Sequence, residues 1–217
     1  MSIECIVLLG GTFDPVHIGH VTIAEYFCNL FHAAHLRLIP AGAPWQKPPL
    51  GATPEQRIDM LKLAFDSSPL SVTIDSQELQ RTGPSYTVDT LRAIRQKAGL
   101  ETSLIFILGS DQLLNLHTWH EWQQLFHFAH LAVASRSGHV ATSSNLPADV
   151  SKAFFGRLAS PHDIRNTPHG LTYLAKEPII DVSATEIRKN RPDTNTYHPL
   201  VPSGVLDYIV KNNLYRN

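Results

Sequence analysis

Residues 10–20, with the sequence GGTFDPVHIGH, constrain the fold of this chain more than any other segment. They follow the nearly continuous apolar run 3–9, which is typical of a parallel strand covered on both faces. Apolar residues then recur at helical spacing between residues 18 and 30. Two glycines at the strand exit allow a sharp turn and a close approach to a ligand, and the helix start offers free N–H groups to an anion. The segment therefore predicts a strand, a phosphate-binding turn and a helix.

Two histidines in this turn indicate which kind of ligand it can bind. His17 and His20 are three residues apart, so at the start of a helix they share one face of the first turn, beside the free amides. Both rings would then donate hydrogen bonds to phosphate oxygens and stabilise charge that develops in a transition state. Two alternatives stay open at this point. The histidines either cap and pack the helix, or they belong to a zinc site whose other ligands the spacing does not identify.

Composition limits the partners of the chain. Its 217 residues, 43% hydrophobic, can bury the core of one globular domain spanning residues 1–217. A net charge of −1 provides no basic field, so we expect neither nucleic acid nor a membrane as a partner, and local groups must bind any anionic substrate. The only cysteines, Cys5 and Cys28, are expected to be buried thiols of a reducing compartment. No apolar stretch is long enough to cross a bilayer, and we expect a cytoplasmic protein.

Strand patterns alternate with helical patterns along the chain. The strand patterns lie at residues 3–9, 35–40, 71–75, 103–108, 129–136 and 171–175. This alternation predicts an α/β fold with a Rossmann-like, open, mostly parallel sheet and helices on both faces, whose ligands bind at the carboxyl edge of the strands. The polar segment 137–170 is predicted to be an insertion with one short helix. Residues 199–217 are predicted to contain an amphipathic helix, at about 202–212, without a site signal.

Three further segments place candidate site residues at the predicted carboxyl edge. Pro84, Ser85, Tyr86 and Thr87 lead into a helix whose free N–H groups suit a carboxylate. A glycine turn at residues 109–111 repeats the design of the first strand exit, and Asp111 either caps a helix or binds a ribose. The third segment, residues 181–188, combines a capping box with a following arginine, so amides, hydroxyls and a guanidinium can hold one anion together.

The residues resemble a known family. The stretch 10–20 is similar to the signature of the nucleotidylyltransferase superfamily, whose His-x-Gly-His element binds the phosphates of a nucleoside triphosphate. Residues 183–188, Ser-Ala-Thr-Glu-Ile-Arg, resemble the second phosphate-binding motif of the same superfamily. With Pro-Ser-Tyr-Thr, Gly-x-Asp and Thr-Trp in order between them, the chain most closely resembles the bacterial nicotinate-nucleotide adenylyltransferases over nearly its entire length. At residue 120, where that family often has tyrosine, the chain has His120.

The resemblance implies adenylyl transfer from ATP to nicotinate mononucleotide, with Mg²⁺ accompanying ATP and no metal ligands from the protein. By the same resemblance, the phosphate-binding and catalytic residues are His17, His20, Lys47 and Arg188. The implied ATP-binding residues are Gly10, Gly11, Thr12, Phe13, His17, His20, Gly109, Asp111, Arg136, Ser183, Ala184, Thr185 and Arg188. Those for nicotinate mononucleotide are Thr12, Lys47, Ser85, Tyr86, Thr87 and Trp119.

Three rival functions differ from this reading in specific features. Pantetheine-phosphate adenylyltransferase shares the first motif but is a shorter chain and gives no reason for the segment 118–119. A dinucleotide-dependent oxidoreductase requires Gly-x-Gly-x-x-Gly at the first turn, which this chain lacks. A nucleotide-binding regulator without catalysis would not require both phosphate motifs. The oligomeric state is not predicted by the sequence.

Overall fold

Six parallel strands form one open sheet. The computed structural model describes residues 3–42, 50–135, 141–178, 182–189 and 200–215. The strands are β1 (Cys5–Gly11), β2 (His35–Pro40), β3 (Ser71–Ile74), β4 (Ser103–Gly109), β5 (His130–Ser135) and β6 (Thr172–Pro178). Their order is β3-β2-β1-β4-β5-β6, and every ladder is parallel. The strand order reverses at β1 and β4, which is the place where open α/β sheets bind their ligands.

Helices cover both faces of the sheet. They are α1 (Ile18–Leu30), α2 (Pro54–Ala64), α3 (Thr87–Ala98), α4 (Ser110–Leu114), α5 (Ala148–Phe155), α6 (Pro161–Arg165), α7 (Ala184–Lys189) and α8 (Ser203–Lys211), with 3₁₀ turns at Leu116–Thr118 and Trp122–His127. In β1, Val7 and Leu9 join the core beneath α1, α2 and α8, whereas Ile6 and Leu8 join the core beneath α3 and α5. Period-two alternation of an all-apolar strand thus supplies two cores, and the predicted Rossmann-like fold is confirmed.

The predicted helix boundaries rest on local chemistry that the structure reproduces. Thr53 caps α2 because its Oγ1 accepts from the Gln56 amide at 3.3 Å, while Gln56 Oε1 accepts from the Thr53 amide at 2.9 Å. Gly99 ends α3 with φ 84°, a conformation that glycine adopts without steric cost. These two signals fix the residue at which α2 begins and the residue at which α3 ends.

The segment after β5 differs from its prediction. The described residues 141–170 contain two helices, α5 and α6, where the sequence predicts one. Val150, Phe154 and Ile164 are fully buried in the two cores, and the Ile164 carbonyl accepts from Ser103 Oγ at 2.8 Å. A five-residue helix with one buried side chain has too little periodicity to be detected, which explains why α6 was missed. Within the described ranges, no helix has the length and apolarity required to span a membrane.

Candidate active site

A cavity of about 390 Å³ lies at the carboxyl edge, where the strand order reverses. The turns after β1 and β4, the first turn of α1 and residues 182–188 form its wall. Predicted site residues that line it are Gly10, Gly11, Thr12, His17, His20, Gly109, Asp111, Ser183, Ala184, Thr185 and Arg188. The fold therefore brings both sequence motifs and the turn after β4 into one cavity.

The turn after β1 packs around a buried ring. Phe13 has φ 49°, a left-handed conformation that costs a bulky residue about 1 kcal/mol or more. Its side chain is completely buried, and its ring meets the His20 ring edge-on with centroids 4.9 Å apart. A Cβ on Gly11 would lie 3.1 Å from this ring, so glycine allows the close packing. Phe13, predicted to bind ATP, lies beneath the loop and is not part of the cavity wall.

His17 and His20 are coupled at the start of α1. The His17 amide donates to His20 Nδ1 at 3.2 Å, so the proton of a neutral His20 ring is on Nε2, which is then a donor. The two rings stack with centroids 3.8 Å apart, and Gly19 leaves room for them because its Cβ would lie 3.0 Å from His17 Nδ1. In the described parts of the chain, no group of three His, Cys, Asp or Glu side chains could hold a metal ion. The arrangement can donate hydrogen bonds to an anion at the positive end of a 13-residue helix.

Asp14 and Arg57 support this turn, although neither was predicted as a site residue. The buried Asp14 carboxylate accepts from the amides of Gly51 at 2.8 Å and Ala52 at 3.0 Å. Arg57 Nη1 donates to the carbonyls of Thr12 and Ala41, both at 2.8 Å. Burial lowers the pKa of Arg57, while the Asp14 charge acts in the opposite direction and helps to keep the guanidinium protonated. The position of Asp14 within the first motif could have identified it as a site residue. The sequence gives no such indication for Arg57, which is a single charge in an amphipathic helix.

The second motif is tied to the first through an arginine. Arg188 Nη1 donates to the Asp14 carbonyl and lies 3.9 Å from Asp14 Oδ2, while Nη2 donates to Thr185 Oγ1 at 3.2 Å. The Arg188 side chain is 31% exposed and borders the cavity. A guanidinium so placed adds a positive charge to the wall of the cavity.

Gly109, in the turn after β4, packs closely against the Asp111 side chain. A Cβ on Gly109 would lie 2.4 Å from Asp111 Oδ1, so any side chain there would displace the Asp111 carboxylate. The Gly109 amide donates to Gln112 Oε1 at 3.0 Å, and Gly109 occupies the cap position of α4. Asp111 is therefore not the cap residue; it lies in the first turn of α4 and borders the cavity.

The predicted nicotinate-side residues occupy a separate place. Tyr86 is the cap residue of α3, and its ring lies against the His120 ring with centroids 4.4 Å apart. Ser85 Oγ donates to the Glu78 carbonyl at 3.4 Å. Neither these residues nor Thr87 and Trp119 line the 390 Å³ cavity. They lie at or near the amino end of α3, where the Tyr86 ring contacts the His120 ring.

A half-buried carboxyl group supports that loop. Glu78 Oε1 accepts from Thr90 Oγ1 at 2.7 Å, and burial raises the pKa of Glu78. A Cβ on Gly42, directly after β2, would lie 2.3 Å from the Glu78 carbonyl, so the turn after β2 packs closely against this loop. Lys47, predicted to bind phosphate, and Arg136, predicted to bind ATP, lie outside the described residues.

Comparison with known proteins identifies the family. The model of the cytidylyltransferase-like family matches residues 8–190. A Herminiimonas arsenicoxydans protein named "probable nicotinate-nucleotide adenylyltransferase" is 46% identical over 99% of this chain and 98% of its own. A Yersinia enterocolitica protein of the same name is 40% identical over 96% and 94%.

Solved structures agree on the fold. The Plasmodium falciparum nicotinic acid mononucleotide adenylyltransferase complexed with NaAD has a TM-score of 0.73 at 18% identity, covering 98% of this chain and 97% of that one. At such low identity the likeness concerns the fold, while the curated relatives establish membership. This chain belongs to the cytidylyltransferase-like family and, within it, to the nicotinate-nucleotide adenylyltransferases.

Proposed function

We propose that this protein transfers the adenylyl group of ATP to nicotinate mononucleotide, forming deamido-NAD and pyrophosphate. The observation that carries the proposal is the convergence of His17, His20 and Arg188 on one cavity at the switch of strand order. The relatives bear the name of this activity, and one Plasmodium structure holds NaAD.

In the proposed reaction, a phosphate oxygen of the mononucleotide attacks the α-phosphorus of ATP directly. An O–P bond forms, the bond from the α-phosphorus to the bridging oxygen breaks, and pyrophosphate leaves with that oxygen. The nucleophile is already an anion, so positioning and charge neutralisation supply the catalysis. His17, His20 and Arg188 would stabilise the developing negative charge, and Lys47 would add a further cation.

The ATP side of the cavity is assigned to the remaining lining residues. The amides of the turn after β1 and those at the start of α1 would hold phosphates. Gly109 and Asp111 would approach the ribose and adenine, Arg136 would lie nearby, and Ser183, Ala184 and Thr185 would close the opposite side. Phe13 would act by shaping the loop, since its ring is buried.

Mg²⁺ fits this cavity as an ion carried by the nucleotide. The Asp14 carboxylate accepts hydrogen bonds from Gly51, Ala52 and Tyr215, so its oxygens are already engaged. Asp111 is the other carboxylate along the described wall. Mg²⁺ commonly takes phosphate and water oxygens with one or two carboxylates, and when bound it would neutralise phosphate charge.

The nicotinate ring is assigned to the loop before α3. Amides near Tyr86 and Thr87 would receive the nicotinate carboxylate, with Ser85 and Trp119 beside it, and a neutral carboxamide would gain less from a helix N-terminus. The His120 ring, already against Tyr86, would border this pocket. The buried free thiols of Cys5 and Cys28 support a reducing, cytoplasmic location.

The test is a product assay with competing acceptors. Purified protein is incubated with ATP, Mg²⁺ and either nicotinate mononucleotide, nicotinamide mononucleotide or phosphopantetheine, and dinucleotide and pyrophosphate are quantified. We expect equimolar deamido-NAD and pyrophosphate, and a higher kcat/KM for the nicotinate than for the nicotinamide acceptor. Faster turnover of phosphopantetheine, or ATP binding without any product, would overturn the proposal. Equal rates with both mononucleotides would remove the carboxylate role of the Thr87 loop.

A further inference from the structure

The last described residue of the chain reaches the first motif. Tyr215 donates its hydroxyl hydrogen to Asp14 Oδ1 at 2.8 Å, across 201 positions of sequence. Asp14 is 2% exposed and is the residue that also anchors the amides of Gly51 and Ala52. The hydroxyl is thus the third donor to a buried carboxylate inside the phosphate-binding turn.

The approach of Tyr215 is built into the end of α8. After the helix, Asn213 and Tyr215 take φ values of 52° and 60°, and the Leu214 amide donates back to the Ile209 carbonyl at 3.0 Å. A tyrosine keeps a left-handed backbone conformation only where contacts with the surrounding structure offset its steric cost. A Cβ on Gly51 would lie 2.7 Å from Tyr215 Cδ1, so the glycine makes room for the ring.

The hydroxyl remains a donor under working conditions. Burial raises the pKa of Tyr215, and the negative charge of Asp14 raises it further. The phenol therefore keeps its proton at neutral pH and donates to Asp14. A donor that holds a carboxylate from one side fixes the orientation of the backbone that carries it.

Asp14 in turn contacts Arg188, a cation that borders the cavity. Its carbonyl accepts from Arg188 Nη1, and its Oδ2 lies 3.9 Å from the same nitrogen. Arg188 has an exposed fraction of 31% and borders the cavity, so its direction depends on these two contacts and on Thr185. Tyr215, Asp14 and Arg188 form one chain of contacts from the C-terminal segment to the proposed triphosphate site.

We propose that Tyr215 is a positioning residue for ATP, whose hydroxyl holds Asp14 so that Arg188 and the turn after β1 keep their places in the cavity. The proposal rests on the proposed function for the identity of the ligand. The C-terminal helix is thereby part of the nucleotide site as well as of the core. Loss of the hydroxyl should weaken the use of ATP more than the use of nicotinate mononucleotide, since the pyridine-side loop lies elsewhere.

The test compares two tyrosine-to-phenylalanine variants. Tyr208, on α8, donates its hydroxyl hydrogen to Asp59 Oδ2 at 3.1 Å, away from the cavity, so Tyr208→Phe is a matched control for the loss of one tyrosine–carboxylate contact. We expect Tyr215→Phe to lower kcat/KM for ATP about tenfold, as for one lost positioning contact, with KM for nicotinate mononucleotide within twofold of wild type. Tyr208→Phe should stay within twofold on both substrates.

Calorimetric titration with ATP keeps the test independent of turnover. The Kd for ATP should rise several-fold in Tyr215→Phe and stay unchanged in Tyr208→Phe, while both variants have similar Tm values. Equal ATP parameters in the two variants, or equal losses on ATP and mononucleotide, would overturn the positioning role. A wild-type protein that makes deamido-NAD while Tyr215→Phe matches it would leave the proposed function intact and reject this inference alone.

Discussion

Two buried arginines fasten opposite edges of the same sheet, and they use their nitrogens differently. At the amino edge, Arg95 donates through Nε, Nη1 and Nη2 to the carbonyls of Gly99, Thr102, Phe128 and Pro168, at 2.7–3.0 Å. These carbonyls belong to the segments that lead into β4, β5 and β6. The full guanidinium fork is needed because the four acceptors lie around it in different directions.

At the carboxyl edge, Arg57 donates through Nη1 alone to the carbonyls that follow β1 and β2. Among the described residues, its Nε has no hydrogen-bond partner. Arg57 thus acts as a buried positive charge near Asp14 that draws two loops together, a task that a point charge can perform. Arg95 therefore uses all three of its nitrogens to hold the segments at the amino edge, whereas Arg57 holds two loops at the carboxyl edge through Nη1 alone.

The largest expected effect is on stability, at the amino edge. Arg95→Lys should lower the free energy of unfolding by about 3–5 kcal/mol, because one ammonium cannot reach all four carbonyls and buried acceptors lose their donors. Urea titration gives this value, and kcat/KM of the folded fraction should stay near wild type. Arg92→Lys on the same helix, with a side chain 37% exposed, should change stability by less than about 0.5 kcal/mol. Equal losses of unfolding free energy in the two variants would contradict a stabilising role for the four Arg95 hydrogen-bond acceptors.

The next effect is a pH dependence at the same edge. His130 accepts from the Leu171 amide at 3.0 Å through Nδ1 and lies 2.8 Å from the Thr167 carbonyl through Nε2. Burial lowers its pKa from 6.5 to about 4. Because the unfolded chain binds a proton at higher pH than the folded one, the stabilisation is present above pH 6.5 and is lost as the pH falls towards 4. The loss should approach about 3 kcal/mol.

Urea titrations of wild type and His130→Gln between pH 7 and 4 measure the contribution of His130 to the pH dependence of stability. As the pH falls, the free energy of unfolding of wild type should decrease relative to that of the variant, with the slope expected when unfolding is coupled to the uptake of one proton. His162→Gln, which alters an exposed histidine of α6, should follow wild type. A difference between wild type and His130→Gln that does not depend on pH would contradict the neutral, buried histidine.

The smallest effect of the three concerns Arg57. Arg57→Met removes the donor to Thr12 and Ala41 and should lower kcat/KM for ATP about tenfold, near 1.4 kcal/mol of transition-state stabilisation. Arg57→Lys keeps a charge that can reach both carbonyls and should recover most of that loss. Steady-state kinetics at saturating mononucleotide measures both variants. If lysine is as damaging as methionine, Arg57 works as a fork like Arg95, and the contrast between the edges fails.

The sequence predicted the parts whose information is local. The strand at β1, the capping box of Thr53 and the glycine end of α3 are short-range patterns, and the parallel order follows from their alternation. The cavity residues of both motifs were predicted because each motif carries its own glycine, hydroxyl or histidine signal. These residues line one cavity at the carboxyl edge of the sheet, and their binding roles stay predictions.

Residues that act through tertiary contacts could not be predicted in this way. Arg57 reads as a charge on an amphipathic helix, and Tyr215 reads as an ordinary residue near the end of a helix without a site signal. Their roles arise from the 2.8 Å contacts with Thr12 and Asp14, which exist only when distant segments are packed. Likewise, α6 is too short to have a period, and its burial depends on Ile164 meeting Ser103.

We propose that His20 binds phosphate directly while the carboxyl-edge cavity transfers an adenylyl group. The most direct measurement is kcat/KM for deamido-NAD formation in His20→Ala, beside His162→Ala at the opposite edge, with Tm recorded for both. We expect a loss of about 10²–10³-fold for His20→Ala, as for a removed transition-state donor, with Tm near wild type and normal activity in His162→Ala. Activity of His20→Ala within a few-fold of wild type would contradict the claim.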